Sequence, residues 1–296
     1  MKHSPAVSRL IGSPLQFAPR HIIVILTAFF IAGCTTSTPV SPSAEAVDCT
    51  LRGPAVNLKG CDLRGSDFNG LDFTGAIFDG ANLVGANLSR AIITAASLID
   101  TNLTSANLTS VSAESADFES ARLSDAKLVE GMFNNANFSL SNCSRSDMSR
   151  GVFDGANFNN AALTDGIAAD ASFIGATFNT ANLERAILKN ANFTNADLTR
   201  ATLTESDIRD ALFQDAKLQY ANLGFVNIWG ADFTRADLQD TFINSILDAG
   251  KTGPRIILRN ADLRRANLRT FWEFLVADSR GAKLSGALMP NGTTHP

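Results

Sequence analysis

Histidine is nearly missing from this chain: His3, His21 and His295 are the only three among 296 residues. None lies between residues 22 and 294, so that span offers no imidazole for general-base work or metal binding. Trp (2) and Tyr (1) are as scarce, while Phe reaches 20. Charged residues make up only 18% against 45% hydrophobic, which builds a core and excludes a disordered chain. The four cysteines include no Cys-x-x-Cys pair, and no glycine-rich phosphate loop appears, so neither a zinc ribbon nor a nucleotide cradle is encoded. Ser and Thr are plentiful but have no base beside them, and carboxylate pairs such as Asp207 with Asp210 have no cleft. These absences argue against an enzyme and against a bound cofactor or metal. The skew towards one aromatic points to a repeat.

Long hydrophobic runs are also absent, except for one at the start. "IIVILTAFFIAG", Ile22 to Gly33, follows a basic opening with Lys2, Arg9 and Arg20. Twelve residues of helix reach about 18 Å, too short for a bilayer core of about 30 Å, so residues 1–33 read as a secretory signal. The run ends in "IAGC", which resembles the lipobox of bacterial lipoproteins. That resemblance implies cleavage before Cys34, a diacylglycerol on its sulfur and an acylated amino group, hence a bilayer contact through Cys34. Thr35 after the cysteine, where enteric inner-membrane lipoproteins carry Asp, favours an outer-membrane location facing the periplasm. Residues 34–48, polar and with Pro39 and Pro42, read as a flexible tether.

From Leu58 to Ile243 every fifth residue gives 38 positions, of which 35 are Leu, Phe, Ile or Met. The exceptions are Ala113, Cys143 and Ala168. Two residues before each stands a small residue or Val, except at Leu71. Neither a helix of period 3.6 nor a long strand of period 2 produces this. Within a unit, inward small, outward polar and inward large is strand alternation, and the last two residues must turn the chain. Early units place Gly60, Gly65, Gly70, Gly75, Gly80 and Gly85 at the turn, where a positive φ is free. Sorted by twenties, the large positions form columns. Leu63, Leu83, Leu103 and Leu123 share one, and Phe133, Phe153, Phe173, Phe193, Phe213 and Phe233 another. Like then stacks on like with four units per coil, Phe columns facing Leu columns across the shaft, and eleven or twelve coils make a rod about 55 Å long.

"ANLVGANL", "ANFTNADL" and "ADFTRADL" resemble pentapeptide-repeat proteins. The resemblance implies an all-β fold, a right-handed quadrilateral β-helix with four pentapeptides per coil. It implies no reaction, since the repeat encodes the rod. The expected organisation is a β-helix over 49–245, a loop over 246–257, and irregular terminal repeats with a cap over 258–296. After "TFWEF" the phase slips by one residue, giving Phe274, Leu284 and Met289; either further coils or a short capping helix over Thr270 to Asp278 accounts for it.

Two readings of partner follow. An exported rod serves as a scaffold for a protein partner, with no nucleic acid bound and a homodimer through the C-terminal coils as one arrangement. Characterised relatives among quinolone-resistance pentapeptide proteins mimic DNA and bind gyrase, and the acidic rod allows that alternative: residues 49–250 hold 24 acids against 14 bases. Residues 251–296 reverse the sign, with 3 acids and 8 bases. Tyr220, Phe225, Trp229 and Phe242 fall at outward or turn positions and form a candidate interaction patch, unless the following loop covers them. Stacking by twenties sets Asp125, Arg145, Asp165, Arg185 and Glu205 in one row of alternating sign, and Glu130, Arg150 and Asp170 in another. Cys143, inward, is expected as a buried thiol; Cys49 and Cys61 are open between a disulfide, worth about 3 kcal/mol, and two separate buried thiols.

Overall fold

The five-residue phrase can be followed bond by bond in the computed structural model, which describes residues 47–245, 255–271 and 277–296. Residues 1–33, Cys34 and most of the tether, the loop over 246–254, and Phe274 with the middle of the alternative helix lie outside the described residues.

Residues 191–195 show why the unit has five residues. Ala191 N–H donates to Leu188 O (3.0 Å) and closes the preceding turn. Asn192 N–H reaches back one coil to Ala171 O (2.9 Å), while Phe193 and Asn195 N–H reach forward to Leu212 O (2.7 Å) and Gln214 O (2.9 Å). The remaining donor, Thr194 N–H, is accepted by the Asn192 side chain at 3.0 Å. All five amides are thus satisfied, and the preference for Asn or Asp at the second position has a cause: its carbonyl or carboxylate oxygen caps the turn.

Repetition of this scheme joins the chain into a ladder of parallel bridges twenty residues apart, from Asn57 with Ile77 to Lys217 with Asp237. Longer strands appear only near the C-terminus: β1 (Asn222–Val226), β2 (Phe242–Ser245) and β3 (Asn267–Thr270), paired in parallel in that order. Among the described residues no element is a helix. The fifth residue of each unit holds φ near +60° whether or not it is glycine, as at Asp125 (61°), Arg145 (58°) and Leu140 (61°).

The shaft is filled along its length apart from one void beside Ala168. In most units the small and the large residue are buried and the residue between them faces out; Leu71, exposed at a small position, is an exception. Phenylalanines stack along the axis: Phe133 on Phe153 at 4.8 Å between ring centres, Phe153 on Phe173 at 5.1 Å, and Phe118, Phe138, Phe158 and Phe178 in a second pile at 4.7–4.9 Å. The piles meet edge to face, as Phe153 does with Phe158 at 5.7 Å, the geometry that the ring quadrupole favours. At Gly151 a Cβ would come within 2.6 Å of the Phe153 ring, so glycine replaces the usual alanine there.

The terminal coils depart in two steps. Asp232 bridges Ile257, twenty-five residues on, and Ile257 then bridges Asp278, twenty-one on. The expected loop over 246–257 therefore ends early, because Ile256 is buried and Ile257 is already a rung. The one-residue slip near "TFWEF" is the second step. The chain finishes in a hairpin across the last coil, with Leu288 antiparallel to Thr294 and His295 N–H bonded to Ala287 O. At the other end, the Arg52 guanidinium lies 4.8 Å above the Phe68 ring.

One defect is visible. Ala168 stands in a column of Leu128, Met148, Leu188 and Ile208, and a void of about 10 Å3 lies against it, lined also by Met148, Leu163 and Leu188. Ala168→Leu restores the column's side chain and is expected to raise stability by about 1 kcal/mol in urea unfolding. A loss of stability would show that the neighbouring coils cannot open for it.

Candidate functional site

The rod's skin is organised by the ladder. Arg145 grips Asp125 with two bonds of 2.8 Å, and Arg185 grips Asp165 at 2.7 and 2.9 Å. Arg150 reaches Glu130 at 3.0 Å and Arg235 reaches Asp215 at 2.6 Å. In each pair the arginine bonds the acid one coil earlier. Arg145 also feels Asp165, and Arg185 feels Glu205, through space without a bond. Asp170 instead accepts from Asn190 at 2.8 Å. Hydrogen bonding to Arg145 holds the Asp125 carboxyl below its ordinary value, and Arg185 does the same for Asp165. Carboxylates lowered in this way stabilise the fold above about pH 4, and that contribution fades as pH falls through the folded-state value.

Arg145→Glu places a third carboxylate between Asp125 and Asp165. It is expected to lower Tm by about 2 °C or more, against almost no change for Ser105→Ala, with the gap narrowing in high salt. Equal melting of the two variants would refute the row.

The buried hydroxyls carry no chemistry. Ser141, Ser146, Ser206 and Thr241 each donate to a backbone oxygen three residues back, at 2.7 Å. Cys143 is buried, and burial pushes its thiol up to about 12, a filler and not a nucleophile. Cys49 and Cys61 form a disulfide that ties the entry of the chain to the first coil. Among the described residues no group of three His, Cys, Asp or Glu side chains is placed to hold a metal ion.

The aromatic residues are partly brought together. Tyr220 and Phe225 occupy successive turn positions, with φ of 60° and 56°, and are 56% and 54% exposed. Phe242 begins β2, pairs with Asn222 of β1 and is 37% exposed. Its ring lies over Gly224, where a Cβ would approach it to 3.1 Å. Three rings therefore emerge on two adjoining rungs, and the Arg200 guanidinium lies 5.6 Å over that of Tyr220. Trp229 is set apart and half-buried. Its indole Nε1 and the Asn227 Oδ1 are buried and find no hydrogen-bond partner among the described residues. Of the four aromatics the sequence groups, Tyr220, Phe225 and Phe242 are exposed and Trp229, at a turn position of the next unit, is half-buried, while the loop over 246–254 that would cover them lies outside the described residues.

With the ladder, core and skin in view, the comparison with known proteins is direct. The family described as Pentapeptide repeats matches in eight copies, over residues 57–94, 93–125, 169–205, 178–215 and 211–245. Residues 57–125 and 169–245 thus carry repeats of the pentapeptide-repeat family, and the described residues around them form a strand-only ladder. The bridges run without a break through residues 126–168, between the matched stretches. Among solved structures the chain is similar to HetL, a pentapeptide repeat protein involved in heterocyst differentiation regulation in the cyanobacterium Nostoc, at 23% identity over 82% of this chain and 92% of that one, TM-score 0.42. It is similar to a trypsin-treated form of QnrB1, a plasmid-mediated fluoroquinolone resistance protein, at 18% identity over 78% and 90%, TM-score 0.34. It is also similar to a pentapeptide repeat protein of the Arabidopsis thaliana thylakoid lumen, at 25% identity over 52% and 72%, TM-score 0.17. No curated protein matches the sequence.

Proposed function

We propose that this protein is a non-enzymatic lipoprotein of the bacterial envelope, a rigid β-helical scaffold held at the membrane by acylated Cys34 and displaying one face to a protein partner. The bridge spacing of twenty and the left-handed turn at every fifth residue support a four-sided shaft with four pentapeptides per coil. The observation that carries the interaction role is the group of three exposed rings, Tyr220, Phe225 and Phe242, on a surface otherwise poor in aromatics. Exposed aromatics anchor interfaces because they bury large area at small entropic cost. The apolar run ending in "IAGC" supports the anchor, and Thr35 supports the outer membrane over the inner. A second copy joined through the C-terminal coils is one partner this face would accept.

Cross-linking in intact envelopes followed by capture tests the patch. The triple change Tyr220→Ser, Phe225→Ser and Phe242→Ser is expected to lose the cross-linked partner while keeping the melting curve; an unchanged cross-link pattern would remove the patch from the account. The alternative reading, an acidic rod binding gyrase or another basic partner, rests on the 24 acids against 14 bases of residues 49–250.

A further inference from the structure

The ion-pair rule of the rod breaks down on one face of the last two coils. At the turn positions Arg145, Arg185, Arg235 and Arg265 each meet an acid one coil earlier, Asp125, Asp165, Asp215 and Asp240, while Arg64, Arg209 and Arg264 meet the acid two residues before them. At the end, Arg255, Arg259 and Arg280 lie around a single carboxylate, Asp278, which pairs with Arg259 and Arg280. These four line an open cavity of about 700 Å3 together with Ile257, Ala277 and Ser279. Because Ile257 bridges Asp278, Arg259 and Arg280 occupy the same position on successive rungs, about 4.8 Å apart along the axis. Like charges stacked in that way oppose folding unless something neutralises them.

Asp278 neutralises one of the three. Arg280 spends Nε (2.8 Å) and Nη2 (2.7 Å) on its two carboxylate oxygens, and Arg259 adds Nε at 2.6 Å. These bonds hold the Asp278 carboxyl well below the usual carboxylate range, so it stays charged and fixes both guanidinium planes. Among the described residues the two terminal nitrogens of Arg259 carry no hydrogen bond and Arg255 makes no ion pair. The cavity thus keeps two surplus positive charges and a set of unused planar donors, a combination that matches a tetrahedral oxyanion better than a carboxylate already at hand.

We propose that this cavity is an anion site for a phosphate group, borne either by a lipid headgroup or by a free phosphate compound. Arg255 and Arg259 supply the donors, and Arg280 with Asp278 positions Arg259. The site is separate from the aromatic patch and does not depend on the scaffold reading.

Phosphorus NMR of inorganic phosphate titrated with the full-length protein in detergent, at constant ionic strength, tests it. Saturable binding with a Kd below about 1 mM is expected, weakened about tenfold in Arg255→Ala and in Arg259→Ala. Arg145→Ala, whose arginine is already paired, is expected to bind as the parent does. Among the described residues Arg255 makes no ion pair or hydrogen bond, so an unchanged melting curve of Arg255→Ala separates lost binding from lost structure. Displacement of phosphate by vesicles of phosphatidylglycerol, and not by phosphatidylcholine, would assign the site to a lipid headgroup; no displacement by either would assign it to a free phosphate. Absence of saturable binding, or equal binding by Arg255→Ala, would overturn the proposal.

Discussion

Phe153→Ala is expected to cost about 3–5 kcal/mol and to lower Tm by roughly 10 °C. Phe153 is fully buried, stacked face to face between Phe133 and Phe173, and meets Phe138 and Phe158 edge on. Truncation removes four aromatic contacts and leaves a hole that cannot collapse, because both adjoining coils are held apart at the rung spacing by backbone hydrogen bonds. Phe153→Leu keeps most of the volume and uses a residue that serves this position elsewhere in the rod, so its cost is expected to be below about 1.5 kcal/mol. Each coil contacts only its neighbours, so the damage should be local at first: proteolysis is expected to nick the coils around residue 153 before the ends. A loss under about 1 kcal/mol for Phe153→Ala would mean that the aromatic pile does not hold the shaft together.

Much of this architecture was legible in the sequence, for a physical reason. A unit that buries two side chains and turns in five residues must repeat its small and large positions strictly, so Leu58 to Ile243 could be placed on the shaft by counting alone. The rows of Asp125 with Arg145 and Asp165 with Arg185 followed from the same count. The corners were less visible. Glycine marks them only in some units, since hydrogen bonds between coils hold φ near +60° even at Leu140, Tyr220 and Phe225. The turn-capping role of Asn and Asp was missed because it depends on a side-chain bond and not on burial. The closing hairpin was signalled by Asn291-Gly292, where Gly292 takes φ of 79° and Asn291 accepts from Thr293 N–H, a turn signal that the repeat register obscured. The basic cavity was hidden for a similar reason: a one-residue slip in the last coil brings Arg280 over Arg259, and no count by fives reveals it.

In the proposed anchoring, attachment of this rod rests on one residue, Cys34. Cys34→Ala is expected to have the largest effect of any single change, because it removes the only cysteine suited to acylation. Cys49 and Cys61 are bonded to each other and Cys143 is buried with its thiol pushed up to about 12, so none of the three offers a thiolate. Loss of the thioether would leave the rod with no acyl chain in the bilayer, and two or more acyl chains are what convert a marginal membrane contact into a stable one. A gyrase-binding protein, by contrast, would stay unlabelled in the cytoplasm with either residue at position 34.

Metabolic labelling with a fatty acid, followed by membrane fractionation of the parent protein and Cys34→Ala, therefore tests the account most directly. It predicts label and membrane sedimentation for the parent and neither for the variant. An unlabelled, cytoplasmic parent, or a variant labelled as strongly as the parent, would contradict it.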